Sequence, residues 1–297
     1  MQVGELVSCI SAFPGISSHC AFGCESGLFG VFDSETNEII YQSNQQFDQK
    51  VKSICVDDDN VVYAIDSHRI LRYDTRIEST APTLQMQYEF EIFGISVKNT
   101  SIAVISKYNG ITTTDNRHLQ RKINETQINS VPPSVIRFYD ENTLFACYED
   151  SAVGKWHFLS EDYNQFDLPL MLRNRKLRPL SILPFSDSTL VGYESGFSIY
   201  DSNGNLSDHS SFEQRGRFQK SDITPCLGEK TFITIVDEST LLPISLDGKS
   251  TEKFVSKELH GSLLTGISAN GLFVFAIEDD DEGFITVLLP EVFQSDE

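Results

Sequence analysis

The chain has 297 residues, with 23 Lys and Arg against 43 Asp and Glu, so its net charge is −20. Apolar residues make up 40% of the chain and aromatic residues 11%, a composition typical of folded proteins that excludes a disordered chain. The acidity disfavours direct nucleic-acid binding and attachment to anionic membranes, because both need clustered Lys and Arg. No apolar run has the length of a transmembrane helix, so we expect no membrane insertion.

The start of the chain and its cysteines indicate a reducing compartment. Residues 1–14 lack a basic beginning and are interrupted by Glu5, so no secretory signal is predicted. Six cysteines are scattered along the chain, without the dense spacing of a disulfide framework. We therefore expect reduced thiols and a cytoplasmic and/or nuclear location.

Taken in chain order, a short polar turn recurs every 41 to 44 residues. The turns centre on Ser26, Ser67, Asn109, Ser151, Ser195, Ser239 and Glu282. An apolar run precedes each turn and a second one usually follows it, as expected for two strands of a hairpin. Another strand candidate lies upstream, and a more polar fourth segment leads to the next unit. Four strands at this period predict the blades of a β-propeller.

The predicted fold class is therefore all-β, as a seven-bladed propeller that forms a single domain over residues 1–297. The predicted blades are approximately 6–49, 50–91, 92–130, 131–177, 178–216, 217–260 and 261–293. Residues 161–178 are the least regular stretch, and we expect a long connection there. Two stacked β-sandwich domains with coincidental spacing are the alternative.

Several of the third strands end in an aromatic residue followed by Asp. They are Val31-Phe32-Asp33, Arg72-Tyr73-Asp74 and Ile199-Tyr200-Asp201. With the preceding acidic-Ser-Gly turn, this unit resembles the WD40 repeat over nearly the whole chain, and implies a WD40-like β-propeller that binds proteins or peptides. The Trp-Asp and Gly-His signatures of that family are absent, since the only tryptophan, Trp156, precedes His157. We expect a structural role for Trp156.

The resemblance also implies a structural pair in the last blade. In WD40 blades, a His before the inner strand often bonds an Asp in the hairpin, which here implies a contact between His260 and Asp280. The acidic run 279–282 is either a solvated turn or a patch for a basic partner.

Closure of the ring is expected near the N-terminus, because few residues precede the first inner strand. We predict that Gln2-Val3-Gly4 pairs with Ile285-Thr286-Val287. The alternative is a last blade with three strands.

Motifs for catalysis or metal binding are weak. The sequence has no nucleophile elbow, phosphate-binding loop or His-Glu-x-x-His pattern. Cys20 and Cys24 follow His19, but two residues four apart on a strand are separated by roughly 13 Å, too far to share one zinc ion. We expect buried structural thiols, no metal site and no cofactor.

A basic segment stands out in this acidic chain. It contains Arg173, Arg175, Lys176 and Arg178. This segment is a candidate for docking an acidic peptide or phosphate, or for nuclear localisation. A solvated loop is the alternative.

The segment Tyr73-Asp74-Thr75-Arg76 ends a predicted third strand. It is similar to the WD-x-R box of WD40 substrate receptors, which dock to the adaptor of cullin-4 ubiquitin ligases, with Tyr73 in place of Trp. An Arg just past the strand end suits a charge-assisted contact with an acidic partner. Alternatively, Asp74 only holds the strand end by bonding nearby backbone.

These observations favour a non-enzymatic protein–protein interaction scaffold that is a subunit of a larger complex. A narrower hypothesis is a substrate receptor of a cullin-4-type ubiquitin ligase, docking its adaptor through Arg76. The third hypothesis is a propeller hydrolase of the diphthamide-pathway type, for which the sequence offers no nucleophile–base pair.

Overall fold

The computed structural model shows an all-β chain. It describes residues 3–14, 16, 18–43, 47–77, 81–108, 110–116, 122–126, 131, 133–150, 152–158, 162–166, 179–185, 187–193, 196–211, 224–226, 231–235, 240–245, 257–258, 262–269, 272–279 and 282–288. Twenty-seven strands and no helix are found within these ranges. Accordingly, no helix of the described chain is long and apolar enough to cross a membrane.

Three antiparallel sheets of four strands follow one another in the first part of the chain. Blade 1 contains β1 (Val7–Ala12), β2 (His19–Cys24), β3 (Phe29–Asp33) and β4 (Glu38–Gln42). Blade 2 contains β5 (Ser53–Val56), β6 (Val61–Ile65), β7 (Arg69–Asp74) and β8 (Leu84–Gln87). Blade 3 contains β9 (Ile92–Lys98), β10 (Ser101–Ser106), β11 (Gly110–Asp115) and β12 (Lys122–Thr126).

Three further sheets of four strands repeat this plan. Blade 4 contains β13 (Pro133–Asp140), β14 (Thr143–Tyr148), β15 (Val153–His157) and β16 (Asp162–Gln165). Blade 5 contains β17 (Pro179–Pro184), β18 (Ser188–Tyr193), β19 (Gly196–Asp201) and β20 (Leu206–Ser211). Blade 6 contains β21 (Thr224–Cys226), β22 (Thr231–Ile235), β23 (Thr240–Ser245) and β24 (Lys257–Glu258).

Blade 7 has three strands within the described residues. They are β25 (Ser262–Ala269), β26 (Leu272–Asp279) and β27 (Glu282–Leu288). The expectation of one long connection over 161–178 is wrong at its start, because Asp162–Gln165 forms the outer strand of blade 4.

The first strand of each sheet lies on the inside of a ring. Inner strand β1 contacts β5 on one side and β25 on the other, and β9 contacts both β5 and β13. Contacts between β13 and β17 and between β21 and β25 extend this arrangement. The seven described sheets therefore form a propeller, as predicted, and not two stacked sandwiches.

The core lies between neighbouring blades. In β6, for example, all five residues are buried, because a middle strand has a neighbouring blade against each of its faces. Val62 and Ala64 pack with residues of blade 1, whereas Val61, Tyr63 and Ile65 pack with residues of blade 3. This two-sided burial explains why the second strand of each unit appears as a nearly continuous apolar run.

The N-terminal segment joins blade 1 to blade 7. The Val3 N–H donates to the Gly283 carbonyl over 2.8 Å, and the Leu6 carbonyl accepts the Glu25 N–H over 2.9 Å. Val3 also packs against the cluster that contains Ile285. The predicted partner of Val3, at the centre of Ile285-Thr286-Val287, is therefore three residues too far along the chain. The alternative of a last blade with three strands describes blade 7 within the described residues.

Candidate interaction surfaces

The propeller has two faces, which we name by their turns. The hairpin face carries the turns between the second and third strands, and the turn face carries those between the first and second and between the third and fourth. The segment Tyr73-Asp74-Thr75-Arg76 lies at the end of β7, on the turn face.

Arg76 forms an ion pair within its own turn. Its Nε donates to Asp74 Oδ1 over 2.8 Å and one terminal nitrogen donates to Oδ2 over 2.7 Å. This bidentate contact holds the pKa of Asp74 below its ordinary value. The Arg76 side chain is nevertheless 60% exposed, so part of it is accessible to a partner.

Asp74 is one of several aspartates that cap the same turn. Its Oδ1 accepts the Arg76 N–H two residues ahead. Asp33 accepts the Glu35 N–H over 3.0 Å and Asp201 accepts the Asn203 N–H over 2.9 Å. The aspartate therefore has a structural role in its blade, whereas the residue that follows it by two positions differs between blades.

Tyr73 lies in the core and not on a docking surface. Only 1% of it is exposed, and its ring lies 4.4 Å from that of Phe29 and 6.4 Å from that of Tyr41 in blade 1. The prediction that Tyr73 belongs to the binding surface is therefore wrong, because its side chain is buried. Tyr73 is covered because its side chain lies on the face of the blade 2 sheet that packs against blade 1.

Other predicted residues lie outside the described ranges. They are Arg173, Arg175, Lys176, Arg178, His260 and Asp280. Their proposed roles stay predictions.

Trp156 lies in β15 and packs partly buried against the apolar cluster between blades 3 and 4. Its ring is 5.1 Å from that of Tyr163 on the neighbouring strand β16. These contacts are those expected of a residue with a structural role.

The thiols of β2 are buried. Cys20 and Cys24 are each 2% exposed, and burial raises the pKa of each thiol to about 12. Both pack in an apolar cluster with Phe22 and Phe32. Within the described residues no group of three or more His, Cys, Asp or Glu side chains is placed to hold a metal ion.

The inner strands enclose a cavity of about 400 Å³ in the centre of the ring. Residues of β1, β5, β9 and β13 provide most of its lining. Among the residues that the structure describes, the charged groups of this lining are Lys52, Asp58, Lys98 and Arg137. Two of these cations are already paired, Lys98 with Asp58 over 2.9 Å and Lys52 with Glu91 over 2.5 Å.

Serine hydroxyls near the hairpin-face end of the cavity join adjacent blades. Ser8 Oγ is 2.6 Å from the Val51 carbonyl of blade 2 and 3.1 Å from the Gly23 carbonyl. Ser134 Oγ is 3.3 Å from the Pro179 carbonyl of blade 5 and 3.2 Å from the Cys147 carbonyl. Each hydroxyl has one proton to donate and two main-chain carbonyls within reach, so it is engaged in holding the ring together.

A cluster that was not predicted from the sequence lies beside the cavity on the hairpin face. Its members, which we call the lysine–aromatic patch, are Lys52, Phe90, Glu91, Phe93, Lys107 and Tyr108. Glu91 binds Lys52 over 2.5 Å and Lys107 over 3.7 Å, and these contacts lower the pKa of Glu91. Lys52 also lies 5.6 Å above the Phe93 ring.

An exposed aromatic pair borders this patch. Tyr108 is 61% exposed at the hairpin of blade 3, and its ring meets that of Phe90 edge-on at 5.3 Å. From the sequence, Tyr108 was assigned only to the polar turn centred on Asn109. The residue before the turn centre is acidic in the other six blades. A tyrosine at this position was therefore the sequence feature that could have indicated an exposed aromatic side chain.

Comparison with known proteins identifies the architecture. No protein-family model and no curated protein matches the chain. Among solved structures, the WD40 repeats of RRP9 match with a TM-score of 0.80 and 10% identity, over 96% of this chain and 94% of that one.

Two further structures agree. U3-55K matches with a TM-score of 0.78 and 10% identity, and the Cps50 (Swd1) β-propeller domain of Myceliophteria thermophila with 0.76 and 9%. Both matches cover 96% of each chain. At such low identity, these matches establish a shared fold and nothing about function. The chain has the fold of the WD40-repeat β-propellers, in a strongly diverged sequence.

Proposed function

We propose that the protein is a non-enzymatic interaction scaffold, a subunit of a larger complex whose partners are other proteins or peptides. The observation that carries this proposal is the structural use of reactive side chains in the part of the chain that the structure describes. Ser8 and Ser134 at the cavity donate to main-chain carbonyls, and the Cys20 and Cys24 thiols are buried in apolar surroundings. A rigid ring that presents loops on two faces suits recognition.

The competing hydrolase hypothesis needs an activated nucleophile. A serine whose proton is directed at a carbonyl oxygen is not activated by a base, and a thiol whose pKa is about 12 is protonated at neutral pH. These features support the scaffold over a hydrolase of the diphthamide-pathway type.

Affinity purification of the tagged full-length chain from a native extract tests the proposal. We expect at least one partner at near-stoichiometric amount that survives stringent washing. The same preparation, assayed against ester and amide substrates, should be inactive. Turnover that is lost in Ser8→Ala or Ser134→Ala, together with no recovered partner, would overturn the scaffold proposal.

The ligase-receptor hypothesis is a separate proposal, supported by the exposure of Arg76 on the turn face. The ion pair with Asp74 orients the guanidinium, and one terminal nitrogen is not used in that pair. Arg76→Glu should abolish recovery of a cullin-4 adaptor, while Lys107→Glu on the opposite face should not. Equal recovery with both variants would reject docking through Arg76.

The proposed location is the cytoplasm and/or the nucleus. The support is the scattered cysteines, of which Cys20, Cys24 and Cys147 are buried as thiols, as is usual in a reducing compartment. Fluorescence microscopy of the tagged chain tests this location, and secretion into the medium would contradict it.

A further inference from the structure

The N-terminal segment is fastened to the hairpin of blade 1 by two adjacent contacts. The Glu25 N–H donates to the Leu6 carbonyl over 2.9 Å. One residue further along the hairpin, the Ser26 hydroxyl donates to Oε2 of Glu5. The side-chain contact therefore lies directly beside the main-chain contact, and both join the same two pieces of chain.

The same segment also lies against blade 7. The Val3 N–H donates to the Gly283 carbonyl over 2.8 Å. A Cβ atom at Gly283 would collide with the main chain of Glu5 and come within 3.1 Å of the Leu6 Cα, so the segment crosses the start of β27 in close contact. Glu5 therefore lies where blade 1, blade 7 and the N-terminal segment meet, and its bond to Ser26 belongs to the junction that closes the ring.

Ser26 is accessible to a modifying enzyme. It lies exposed at the tip of the hairpin between β2 and β3, whereas the serine at the equivalent place in blade 2, Ser67, is only 7% exposed. Its hydroxyl donates to the Glu5 carboxylate, and its oxygen accepts the Leu28 N–H over 3.4 Å. The residue stays exposed despite these contacts, so its hydroxyl is within reach of a protein kinase on the folded chain.

The surroundings of Ser26 are acidic. Glu5 contacts its hydroxyl, and Glu25 precedes it in the chain. Lys50 lies beside them, but its ammonium group already binds the Glu25 carboxylate. A phosphate group carries a charge of about −1.5 to −2 at pH 7 and disrupts a contact when it is placed next to Asp or Glu. A phosphate on Ser26 therefore opposes the contact that the unmodified hydroxyl makes.

We propose that Ser26 is a phosphorylation site and that its phosphate releases the N-terminal segment from blade 1. A protein kinase transfers the γ-phosphoryl group of ATP to Ser26 Oγ. The new P–O bond forms as the bond between the γ-phosphorus and the β,γ-bridging oxygen breaks, ADP leaves with that electron pair, and the hydroxyl proton passes to a base of the kinase. This inference goes beyond the proposed scaffold function and does not depend on it.

The phosphate acts on the closure in two ways. Ser26 Oγ no longer carries a proton, so it cannot donate to Glu5. The phosphate charge and the Glu5 carboxylate also repel each other, and this repulsion is stronger near a protein surface than in bulk water. Loss of the donor weakens the junction a little and the added charge weakens it more, so substitutions can separate the two effects.

Hydrogen exchange on the full chain tests the effect of the phosphate. Phosphoserine is placed at position 26 by genetic-code expansion, and exchange is followed at the Val3 and Glu25 amides, whose hydrogen bonds hold the segment to blades 7 and 1. We expect both amides to exchange about tenfold faster than in the unmodified chain. Phosphoserine at position 202, in an exposed turn of blade 5, is the matched control and should leave both amides unchanged.

Substitutions separate the charge from the lost donor. Ser26→Ala removes the donor without adding a charge, and should speed exchange at the two amides by only about threefold. In Glu5→Lys the residue opposite the phosphate is cationic, so phosphoserine at position 26 should slow exchange. Glu5→Gln removes the repulsion alone, so there the phosphate should act no more strongly than Ser26→Ala. Thermal unfolding verifies that each variant is folded, and Glu5→Gln carries the test if Glu5→Lys does not fold.

Phosphopeptide mapping establishes whether the site is used. The chain is isolated from its own cells with phosphatase inhibitors present, and we expect phosphate on Ser26 that phosphatase treatment removes. Absence of phosphate from Ser26 in both growing and stressed cells would overturn the inference. Equal exchange of the Val3 and Glu25 amides with and without phosphoserine at position 26 would overturn it too, as would faster exchange on phosphorylation of Glu5→Lys.

Discussion

Arg69 fixes the hairpin of blade 2 through a mostly buried ion pair. Its guanidinium binds Asp66 over 2.8 Å, with side-chain exposures of 16% and 5%. Asp66 also accepts the backbone N–H groups of His68 and Arg69. The guanidinium lies 5.4 Å from the centre of the buried Phe47 ring, which belongs to the connection from blade 1. A single residue thus ties a turn to the interface between two blades.

Replacing Arg69 should destabilise the fold considerably. Arg69→Met leaves the buried Asp66 carboxylate without its cation, and we expect the free energy of unfolding to fall by about 3 kcal/mol. Lys50→Met is the control, because Lys50 and Glu25 form a half-exposed pair and its loss should cost about 0.5 kcal/mol. Urea unfolding measures both, and equal losses would contradict this account of Arg69.

The strand-end aspartates predict a response to acid. Hydrogen bonds from Asn205 and nearby backbone lower the pKa of Asp201, so ionised Asp201 favours the folded state. That contribution is complete above the unfolded pKa of about 3.9 and is lost as pH falls through the lower folded value. Asp201→Asn cannot titrate. The difference in the free energy of unfolding between the unchanged chain and Asp201→Asn should therefore narrow between pH 5 and pH 3. Urea unfolding at each pH measures it, and a constant difference would contradict the role assigned to ionised Asp201.

At the scale of elements, inner strands are joined by side chains as well as by packing. Ser8 of β1 reaches the carbonyl of Val51 just before β5, and Ser134 of β13 reaches that of Pro179 in β17. The two serines occupy the second position of their strands. In these two inner strands the second residue therefore connects blades, a role that the sequence alone did not indicate because the acceptors lie more than forty residues away.

Ser8→Ala should weaken the contact between blades 1 and 2. Loss of a hydroxyl that donates to the Val51 carbonyl is expected to lower the free energy of unfolding by about 1 kcal/mol. Ser202→Ala, in an exposed turn, is the matched control and should change it little. Chemical denaturation followed by far-ultraviolet circular dichroism provides the comparison, and an equal effect of both substitutions would refute the inter-blade role.

At the scale of the whole molecule, the N-terminal segment closes the ring. Val3 bonds Gly283 of blade 7, and Leu6 accepts a bond from Glu25 of blade 1. The contact is short compared with a full strand pairing. Removing this segment therefore removes all of these contacts at once.

Deleting residues 1–6 should lower the melting temperature. The loss of these hydrogen bonds and of Val3 packing is expected to cost about 2 kcal/mol, or roughly 3 °C in a chain of this size. Val3→Ala, which keeps the backbone bonds, should have a smaller effect. Calorimetry measures both, and an unchanged melting temperature in the truncated chain would contradict closure by this segment.

The fold was predictable because a propeller repeats. Polar turns at regular spacing and apolar middle strands such as β6 follow directly from seven similar units around one ring. The sites were less predictable, because their residues come together only in three dimensions. Lys52 and Lys107 meet at Glu91 across two blades, and Tyr73 is covered by a blade that precedes it in the chain.

The central claim is that this ring is a scaffold that functions within a complex. Size-exclusion chromatography of a native extract, with the chain detected at its natural abundance, tests that claim most directly. The account predicts elution well above the size of a single chain, together with a partner that co-elutes through a second separation. Elution of the entire population at the size of one chain would contradict it.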